Sequence, residues 1–403
     1  MRVLLVGSGG REHALAWKLA SSPTLRELHA APGNPGIAAL GECHSVAADE
    51  IDGLVALARR LSVDLVVVGP EVPLVAGLAD ALHSVGVAVF GPSAAAARIE
   101  GSKAFAKEVL LAAGVATADL LGEPRPPCVV KLDGLAAGKG VFVCRTEDEL
   151  AEALAAVRGR EHLAEELLEG EEVSLFALVA GREVVPLAPA RDYKRVGDGD
   201  SGPNTGGMGS LSPVPGLTDD GAETLADAVH RPVAELLADR GAPFTGLLYA
   251  GLMLTADGPR VLEFNCRFGD PETQSLLPRL DGDLLAALAA AATGELRGVE
   301  LETTDDTAVT IVLAAGGYPE RGDSGTPIDG VVDAEATGAL VFHAGTALRD
   351  GALVTDGGRI LGVTGLGPTL EAAREQAYGA AGLVHFDGCR YRSDVGAEVS
   401  VAG

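Results

Sequence analysis

The stretch VLLVGSGG at residues 3–10 decides the fold class, because a short aliphatic run ends there in a cluster of glycines. The pattern returns twice: LVVV at residues 65–68 precedes Gly69-Pro70-Glu71, and VAVF at residues 87–90 precedes Gly91-Pro92. Helix-like segments separate these runs. Strands that alternate with helices at this spacing predict an α/β fold with a doubly wound parallel sheet. Ligands of such sheets bind at the carboxyl ends of the strands, where these glycines lie.

The glycine-rich turn at residues 7–10 matches a dinucleotide-binding fingerprint only in part. Glu12 occupies the position of the third glycine, and no acidic residue closes the second predicted strand near Pro32. A nicotinamide site is therefore disfavoured. Two interpretations remain: the backbone N–H groups of Gly9 and Gly10 hold a phosphate, or the turn is simply tight and binds nothing.

The composition argues against several classes of partner. The chain has 403 residues, of which 31 are basic and 57 acidic, and its net charge of −26 opposes nucleic acid and anionic lipid. Its five cysteines are scattered singly, which favours neither a disulfide framework nor a zinc cluster. No apolar stretch approaches the roughly 20 residues of a membrane span, and the start does not read as a signal peptide. We therefore expect a soluble, cytoplasmic protein.

The order of the predicted elements divides the chain into three units. The first unit, residues 1–101, is a parallel-sheet substrate domain. The central unit, residues 102–294, is expected to be an α+β domain with a small subdomain at about 115–174. The last unit, residues 295–403, is a small α+β domain in which no obvious chemistry is expected.

Lysine is rare in this chain, with six lysines against 25 arginines, so each retained lysine is informative. Lys131 ends a predicted strand, and Lys139 lies between Gly138 and Gly140 in the loop that follows. Glycines let a loop close over a ligand, and a compact ammonium can point at a phosphate oxygen. The segment is not a Walker A motif, but it favours a triphosphate site over an ordinary hairpin.

The segment VLEFNCR at residues 261–267 predicts a metal-binding strand. Side chains alternate between the two faces of a strand, so Glu263 and Asn265 share one face while Leu262 and Phe264 face the core. Carboxylate and amide oxygens two residues apart suit Mg²⁺, and the arginine that follows projects from the same face towards bound phosphates. The alternative is the polar face of an edge strand.

A long polar loop is predicted at residues 192–209. It carries mixed charges, including Asp192 and Lys194, together with Asn204 and several glycines. Long loops in compact domains are usually functional or disordered, and this composition favours an ordered loop that contacts substrate. By contrast, the segment EELL at residues 165–168 predicts, on its own, a helix turn.

A series of motifs, taken in order, resembles the phosphoribosylamine–glycine ligase family of purine biosynthesis over essentially the whole chain. Each motif is weak alone, but their order is specific. They are GGREHA at residues 9–14, APGN at 31–34, GPE at 69–71, GSK at 101–103, residues 133–140, GPNTGGMG at 202–209, residues 263–273, AAGGYP at 314–319 and FHAGT at 342–346. The resemblance implies an ATP-grasp fold, whose two subdomains clamp ATP. It also implies that glycine is joined to 5-phosphoribosylamine through glycyl phosphate, with release of ADP and phosphate.

The resemblance further implies roles for individual residues, with ATP as co-substrate. Glu263 and Asn265 would hold Mg²⁺ or Mn²⁺, and Arg267 and Lys139 would be catalytic. The implied ATP-binding residues are Lys103, Lys131, Gly138, Lys139, Gly140, the adenine-hinge residues Glu165, Glu166 and Leu168, and Glu172 at the ribose. The implied substrate-binding residues are Gly9, Gly10, Asn34, Glu71, Asp192, Lys194, Asn204 and Arg267.

Two departures from the family pattern accompany this resemblance. Residues 157–163, before the hinge, form a shorter segment than is usual, and the strand at 247–251 lacks the acidic ligand of many ATP-grasp enzymes, which puts a second metal site in doubt.

Two other functions stay open. A related ligase using formate or bicarbonate is disfavoured by the 192–209 loop, and a regulatory protein that binds nucleotide without turnover is disfavoured by the intact metal-binding strand.

Overall fold

The computed structural model describes residues 1–135 and 140–397. The strands of the first unit are β1 Arg2–Gly7, β2 Glu27–Pro32, β3 Glu42–Cys43, β4 Leu65–Val68 and β5 Ala88–Phe90. Its helices are α1 Gly10–Ala20, α2 Pro35–Ala38, α3 Ile51–Leu61, α4 Glu71–Val75, α5 Leu78–Ser84 and α6 Ala94–Gly101. The strands form one parallel sheet in the order β3-β2-β1-β4-β5, which confirms the predicted doubly wound fold.

Apolar side chains cover both faces of this sheet. Within β1, Leu4 and Val6 pack into one core, whereas Val3 and Leu5 pack into another. A parallel strand buried on both faces reads as a continuous aliphatic run, which is why β1 is evident in the sequence.

The central unit begins with helix α7 Lys103–Ala112 and a small sheet. The elements of this small subdomain are β6 Cys128–Leu132, β7 Val141–Cys144, α8 Glu147–Ala156 and β8 His162–Glu166. Strand β6 pairs antiparallel with both β7 and β8. Thr146 and Glu149 form a capping box, which fixes the start of α8 at Glu147.

The remaining described elements build one large antiparallel sheet, three small sheets and the helices of the central and last units. In the central unit they are β9 Glu171–Gly181, β10 Glu183–Asp192, β11 Arg195–Gly197, β12 Ser201–Asn204, β13 Gly209–Ser212, α9 Asp219–Asp239, β14 Phe244–Thr255, β15 Gly258–Asn265, α10 Glu272–Leu276, β16 Leu280–Asp281 and α11 Leu284–Thr293. In the last unit they are β17 Glu302–Thr303, β18 Thr307–Ala314, β19 Asp323–Pro327, α12 Val331–Ala336, β20 Leu340–His343, β21 Thr346–Arg349, β22 Ala352–Gly357, β23 Arg359–Gly367 and α13 Leu370–Ala381.

Eight of these strands form one sheet in the order β15-β14-β9-β10-β13-β18-β23-β20. Because β13 pairs with β18, three strands of the last unit extend the sheet of the central unit. The two units therefore share a continuous hydrogen-bonded sheet beside the functional cleft. Within the described part of the chain, no helix combines the length and the apolar character that crossing a membrane requires.

Candidate active site

A deep cleft of about 1300 Å³ lies where the three units meet. The first unit contributes Arg11 and Glu71 to its lining, the central unit contributes Lys131 and Glu263, and the last unit contributes Arg359. Ligand pockets usually have volumes of roughly 300–1,000 Å³. The cleft is therefore large enough to hold more than one small molecule.

One part of the cleft, which we call the lysine end, is built on a buried carboxylate between two lysines. Glu165 is 3% exposed, and its two oxygens lie 2.6 Å from the ammonium groups of Lys107 and Lys131. Lys107 also donates to the Thr117 hydroxyl and the Ala118 carbonyl, each at 2.7 Å, so all three of its N–H donors are used. Burial lowers the pKa of Lys107, and Glu165 opposes that shift. Lys107, which sequence reasoning missed, thus anchors Glu165.

Lys131 is the lysine of this pair that can serve a ligand. Besides Glu165, its ammonium donates to the Leu262 carbonyl at 2.9 Å. Counting partners among the described residues, one of its three donors is left to point into the cleft that Lys131 lines. Lys131 is 7% exposed, and a charge that is largely shielded from water acts more strongly on phosphate than it would in water.

Lys103 supplies a second cation from the start of α7. Its backbone N–H donates to Asp133 Oδ1 at 2.6 Å, and Asp133 Oδ2 accepts from the Ser102 hydroxyl at 3.1 Å. Its ammonium donates to the Gly134 carbonyl at 3.0 Å. Burial lowers the pKa of Lys103, whereas Glu263 and Asp133 oppose the shift. The helix start is thus tied to the loop that follows β6.

The predicted phosphate loop is described at its two ends. Gly134 has a φ of +98°, a conformation that favours glycine. Gly140 is buried, lines the cleft and accepts from the Leu132 N–H at 2.8 Å. Gly138 and Lys139 lie outside the described residues, so their contacts with ATP stay predictions.

Glu165 and Glu166 end strand β8 and residues 167–168 follow it without regular structure, so the helix turn predicted from their local pattern is wrong. Strand β8 pairs with β6, and Glu165 lies opposite Val129. Pairing with a partner strand overrides the weak local preference. The Glu166 carboxylate accepts from the Asp119 N–H at 2.9 Å, and Leu168 lines the cleft. All three implied hinge residues reach the cleft wall, although Glu165 directs its carboxylate at lysines.

A second part of the cleft, which we call the acidic end, consists of Glu172, Asp192, Glu263 and Glu272 around Lys194. The Lys194 ammonium lies 2.7 Å from Glu172 and 3.9 Å from Glu263. Burial raises the pKa of Asp192 to about 8; Lys194 opposes this shift, and the neighbouring glutamates add to it. This region therefore carries more negative charge than its lysine compensates.

Glu272 organises a buried network that the sequence did not reveal. Its carboxylate accepts from the Tyr249 hydroxyl at 2.8 Å, and the Ser174 hydroxyl lies 2.8 Å from that of Tyr249. Burial raises the pKa of Tyr249, and Glu272 adds to the shift. The strand at 247–251, which lacks the acidic metal ligand of many ATP-grasp enzymes, thus contributes the phenol of Tyr249 to this network.

Glu263 and Asn265, the predicted metal ligands, both line the cleft near the end of β15. The register of β15 against β14 shifts at Leu262, which is a β-bulge. Both Leu262 and Phe264 line the cleft. Leu262 is half-buried and packs into none of the described apolar cores, so the prediction that it faces the core is wrong, whereas Phe264 is 3% exposed and packs into a core as predicted. Carboxylate and amide oxygens beside uncompensated acidic groups fit a hard divalent cation.

Arg267 follows β15 and connects the central unit to the first. Its guanidinium lies 3.3 Å from Glu71 and 3.1 Å from Glu100, and it donates to Asn265 Oδ1 at 3.3 Å. Burial disfavours its charge, but Glu100 and Glu71 raise its pKa above the ordinary value. Burial also works to raise the pKa of Glu71, yet Arg267 and Arg11 hold it below normal. Arg267 is thus a permanently charged, firmly held residue at the cleft.

Contrary to the expectation from its sequence, the last unit contributes polar groups to the cleft. Arg359 donates to Asp270 Oδ2 and to the Asp270 carbonyl, at 2.8 Å each, and also to the Gly206 carbonyl. The Tyr318 hydroxyl accepts from the Gly206 N–H at 2.8 Å. These contacts fasten the 192–209 loop, whose strands β11 and β12 form a hairpin ending at Asn204 in the cleft lining.

The protein itself occupies part of the predicted phosphate cradle in the first unit. The Gly9 N–H donates to Glu12 Oε2 at 2.7 Å, and Arg11 donates to the other oxygen at 2.6 Å. A Cβ on Gly69 would come within 2.1 Å of Glu12 Oε1, so glycine there makes room for this carboxylate. Gly7, Gly9 and Gly69 thus all make room for Glu12, and a role of this turn in binding phosphate stays a prediction.

Gly10 and Asn34 also make contacts within the protein. A Cβ on Gly10 would lie 2.6 Å from Gln274 Nε2, and the Asn34 amide donates to the Ser8 and His343 carbonyls at 2.8 Å each. Neither belongs to the described lining of the large cleft. Their roles in substrate binding stay predictions.

Comparison with known proteins places the chain in a family. Three family models match it: the phosphoribosylglycinamide synthetase N domain at residues 1–100, its ATP-grasp (A) domain at 101–273, and its C domain at 308–398. The biotin carboxylase domain of Hydrogenobacter thermophilus 2-oxoglutarate carboxylase has a TM-score of 0.71 at 17% identity, over 96% of this chain and 91% of that one. That likeness shows the shared fold alone.

Similarity to characterised relatives extends along the whole chain. The phosphoribosylamine–glycine ligase of Brucella melitensis biotype 1 is 47% identical, with 98% of this chain and 97% of that protein covered. The Streptomyces coelicolor enzyme of that name is 49% identical, with 100% of each covered. The crystal structure of the Thermotoga maritima enzyme matches with a TM-score of 0.84 at 34% identity, over 98% of this chain and 100% of that one. The chain belongs to the phosphoribosylamine–glycine ligase family.

Proposed function

We propose that this protein uses ATP to join glycine to 5-phosphoribosylamine in purine biosynthesis, releasing N1-(5-phosphoribosyl)glycinamide, ADP and phosphate. Full-length similarity to phosphoribosylamine–glycine ligases carries this proposal. The cleft supports it, since cations suited to a triphosphate lie in the same space as an acidic donor set suited to a divalent metal.

The proposed reaction has two displacement steps. A glycine carboxylate oxygen attacks the γ-phosphorus, the bond to the bridging oxygen breaks, and ADP leaves, giving glycyl phosphate. The amine nitrogen of phosphoribosylamine then attacks the glycyl carbonyl carbon, phosphate departs, and the nitrogen loses a proton. Phosphoryl transfer depends mainly on positioning and charge neutralisation, so no side-chain nucleophile is required.

The described cations of the cleft have separate tasks in this proposal. Lys131 and Lys103 bind and orient the phosphates of ATP. Arg267, held by Glu71 and Glu100, keeps a fixed positive charge beside the transferring group. Lys139 is proposed to add a further charge from the phosphate loop.

Glu263 and Asn265 are proposed to hold Mg²⁺ or Mn²⁺, which when bound neutralises phosphate charge. Asp192, Lys194 and Asn204 are proposed to contact the substrates from the 192–209 loop. The assignment of residues 1–101 to substrate binding, of 102–294 to ATP and of 295–403 to closing the cleft is part of the same proposal. The monomeric state and the cytoplasmic location stay predictions from the sequence.

The test is release of ADP in the presence of Mg²⁺, glycine and freshly prepared phosphoribosylamine, with each substrate omitted in turn. We expect release only when ATP, glycine and the amine are all present. Release that needs formate or bicarbonate in place of glycine would point to the related ligases. Nucleotide binding without ADP release under any combination would point to a regulatory binding protein.

A further inference from the structure

A second group of metal-ligating side chains lies in the first unit, outside the described lining of the cleft. Strands β2 and β3 pair in parallel with His29 opposite Glu42. The chain continues past β3 to His44, whose N–H donates to the Ala30 carbonyl at 2.8 Å. The register of an edge strand therefore brings together two histidines and a glutamate.

One separation within this group matches that of two ligands that share one ion. His29 Nδ1 is hydrogen-bonded to His44 Nε2 at 3.1 Å, and Glu42 Oε2 lies 3.7 Å from His29 Nδ1, so a bound ion would replace this hydrogen bond and draw the exposed Glu42 side chain closer. One ligand atom from each residue lies within 4.8 Å of the other two. Each nitrogen bound to Zn²⁺ lies roughly 2.0–2.1 Å from the ion. Two such nitrogens are therefore about 2.9–3.4 Å apart when the N–Zn–N angle lies between a right angle and the tetrahedral value. The two imidazoles thus already stand at a suitable distance.

The outer nitrogen of His29 gives an independent indication. His29 is 6% exposed, and its Nε2 has no hydrogen-bond partner among the described residues. Glu27 Oε2, which also pairs with Arg2 at 3.0 Å, lies 3.5 Å from that nitrogen. An ion on Nδ1 would leave the proton on Nε2, facing Glu27. Metal-bound histidines commonly present their second nitrogen to a carboxylate in this way.

We propose that His29, Glu42 and His44 bind a divalent first-row transition metal such as Zn²⁺, at a site separate from the hard-cation site of the cleft. Imidazole nitrogen suits Zn²⁺ better than Mg²⁺, and the exposed Glu42 leaves the ion open to a water ligand. Strand β3 has two residues, so an ion joining it to β2 stabilises this edge of the sheet.

To test this proposal, the full-length protein is first stripped of metal with a chelator. It is then titrated with Zn²⁺ by equilibrium dialysis. Excess Mg²⁺ is present to occupy the oxygen ligands of the cleft. Wild type is expected to bind one Zn²⁺ and to show a higher thermal midpoint with it. Glu42→Gln and His44→Gln are expected to lose this binding, and Glu27→Gln to weaken it about 10- to 100-fold. His83→Gln, which changes an exposed histidine on α5, is the matched control and should bind normally.

Replacing Zn²⁺ with Co²⁺ identifies the ligands. The proposed site predicts the intense visible bands of a low-coordinate nitrogen and oxygen site, without a band from sulfur. A sulfur band, an absence of Zn²⁺ binding by wild type, or equal binding by wild type and Glu42→Gln would overturn the proposal. The Glu42 side chain is 69% exposed, so its variant remains informative if His44→Gln fails to fold.

Discussion

The lysine end and the acidic end of the cleft handle buried charge in opposite ways. At the lysine end, the Glu165 carboxylate has ammonium partners at 2.6 Å on both sides, so the protein supplies its own compensation. At the acidic end, Lys194 faces several carboxylates, and the pKa of Asp192 rises through burial to about 8, with those carboxylates adding to the shift.

This difference separates preorganised from ligand-dependent charge. The cations of the lysine end already have their protein partners, so in the proposed reaction they would need little reorganisation when phosphate binds. In the proposed reaction, a bound divalent cation would balance the charge of the acidic end, so the binding of metal would be coupled to the electrostatics of the site. The following variants test this comparison.

Glu165→Gln is expected to produce the largest effect, because it leaves Lys107 and Lys131 buried without their shared carboxylate. Removing one partner of a buried ion pair typically costs about 3–5 kcal/mol of the free energy of unfolding. Urea denaturation measures this loss. The control is Glu166→Gln at the neighbouring position, where the side chain is 38% exposed. This variant should lower the free energy of unfolding by less than about 1 kcal/mol. Equal losses of stability in the two variants would contradict the inference that the lysine end depends on the buried carboxylate of Glu165.

Glu263→Gln is expected to lower turnover at least about 100-fold, equivalent to about 2.7 kcal/mol, because it removes the charged metal ligand but keeps its volume. The thermal midpoint without metal should stay near that of wild type, because Gln keeps the volume of the side chain and loses only one described ion pair, that with Lys194 at 3.9 Å. Steady-state ADP release and a thermal melt measure the two quantities. Glu152→Gln, on the exposed face of α8, is the control. Near-normal turnover of Glu263→Gln would refute the metal assignment.

Asp192→Asn is expected to change the dependence of stability on pH by a smaller amount. The pKa of Asp192 is raised from 3.8 to about 8 in the folded protein, so over that interval the folded state holds a proton that the unfolded state releases. Stability of the ligand-free protein should therefore fall as the pH rises through this interval. The variant should flatten that part of the profile of thermal midpoint against pH. If the profiles of wild type and variant superimpose, Asp192 does not cause the dependence of stability on pH.

Local patterns in the sequence determined the fold class and many of the residues that reach the cleft. The run at residues 65–68 is strand β4, since a parallel strand buried on both faces must be continuously apolar. Lys131, Glu263 and Arg267 were evident because cations beside glycines and alternating polar residues are unusual inside otherwise apolar segments.

Tertiary structure alone decided how distant segments complete one another. Lys107 gained its role because β8 places Glu165 beside it, and Arg359 reaches the cleft because β13 and β18 join two units in one sheet. The bulge that turns Leu262 into the cleft depends on the register with β14. The meeting of His29 with His44 likewise depends on strand pairing. Contacts between strands far apart in sequence leave no periodic signal in either strand, so the sequence by itself could not show them.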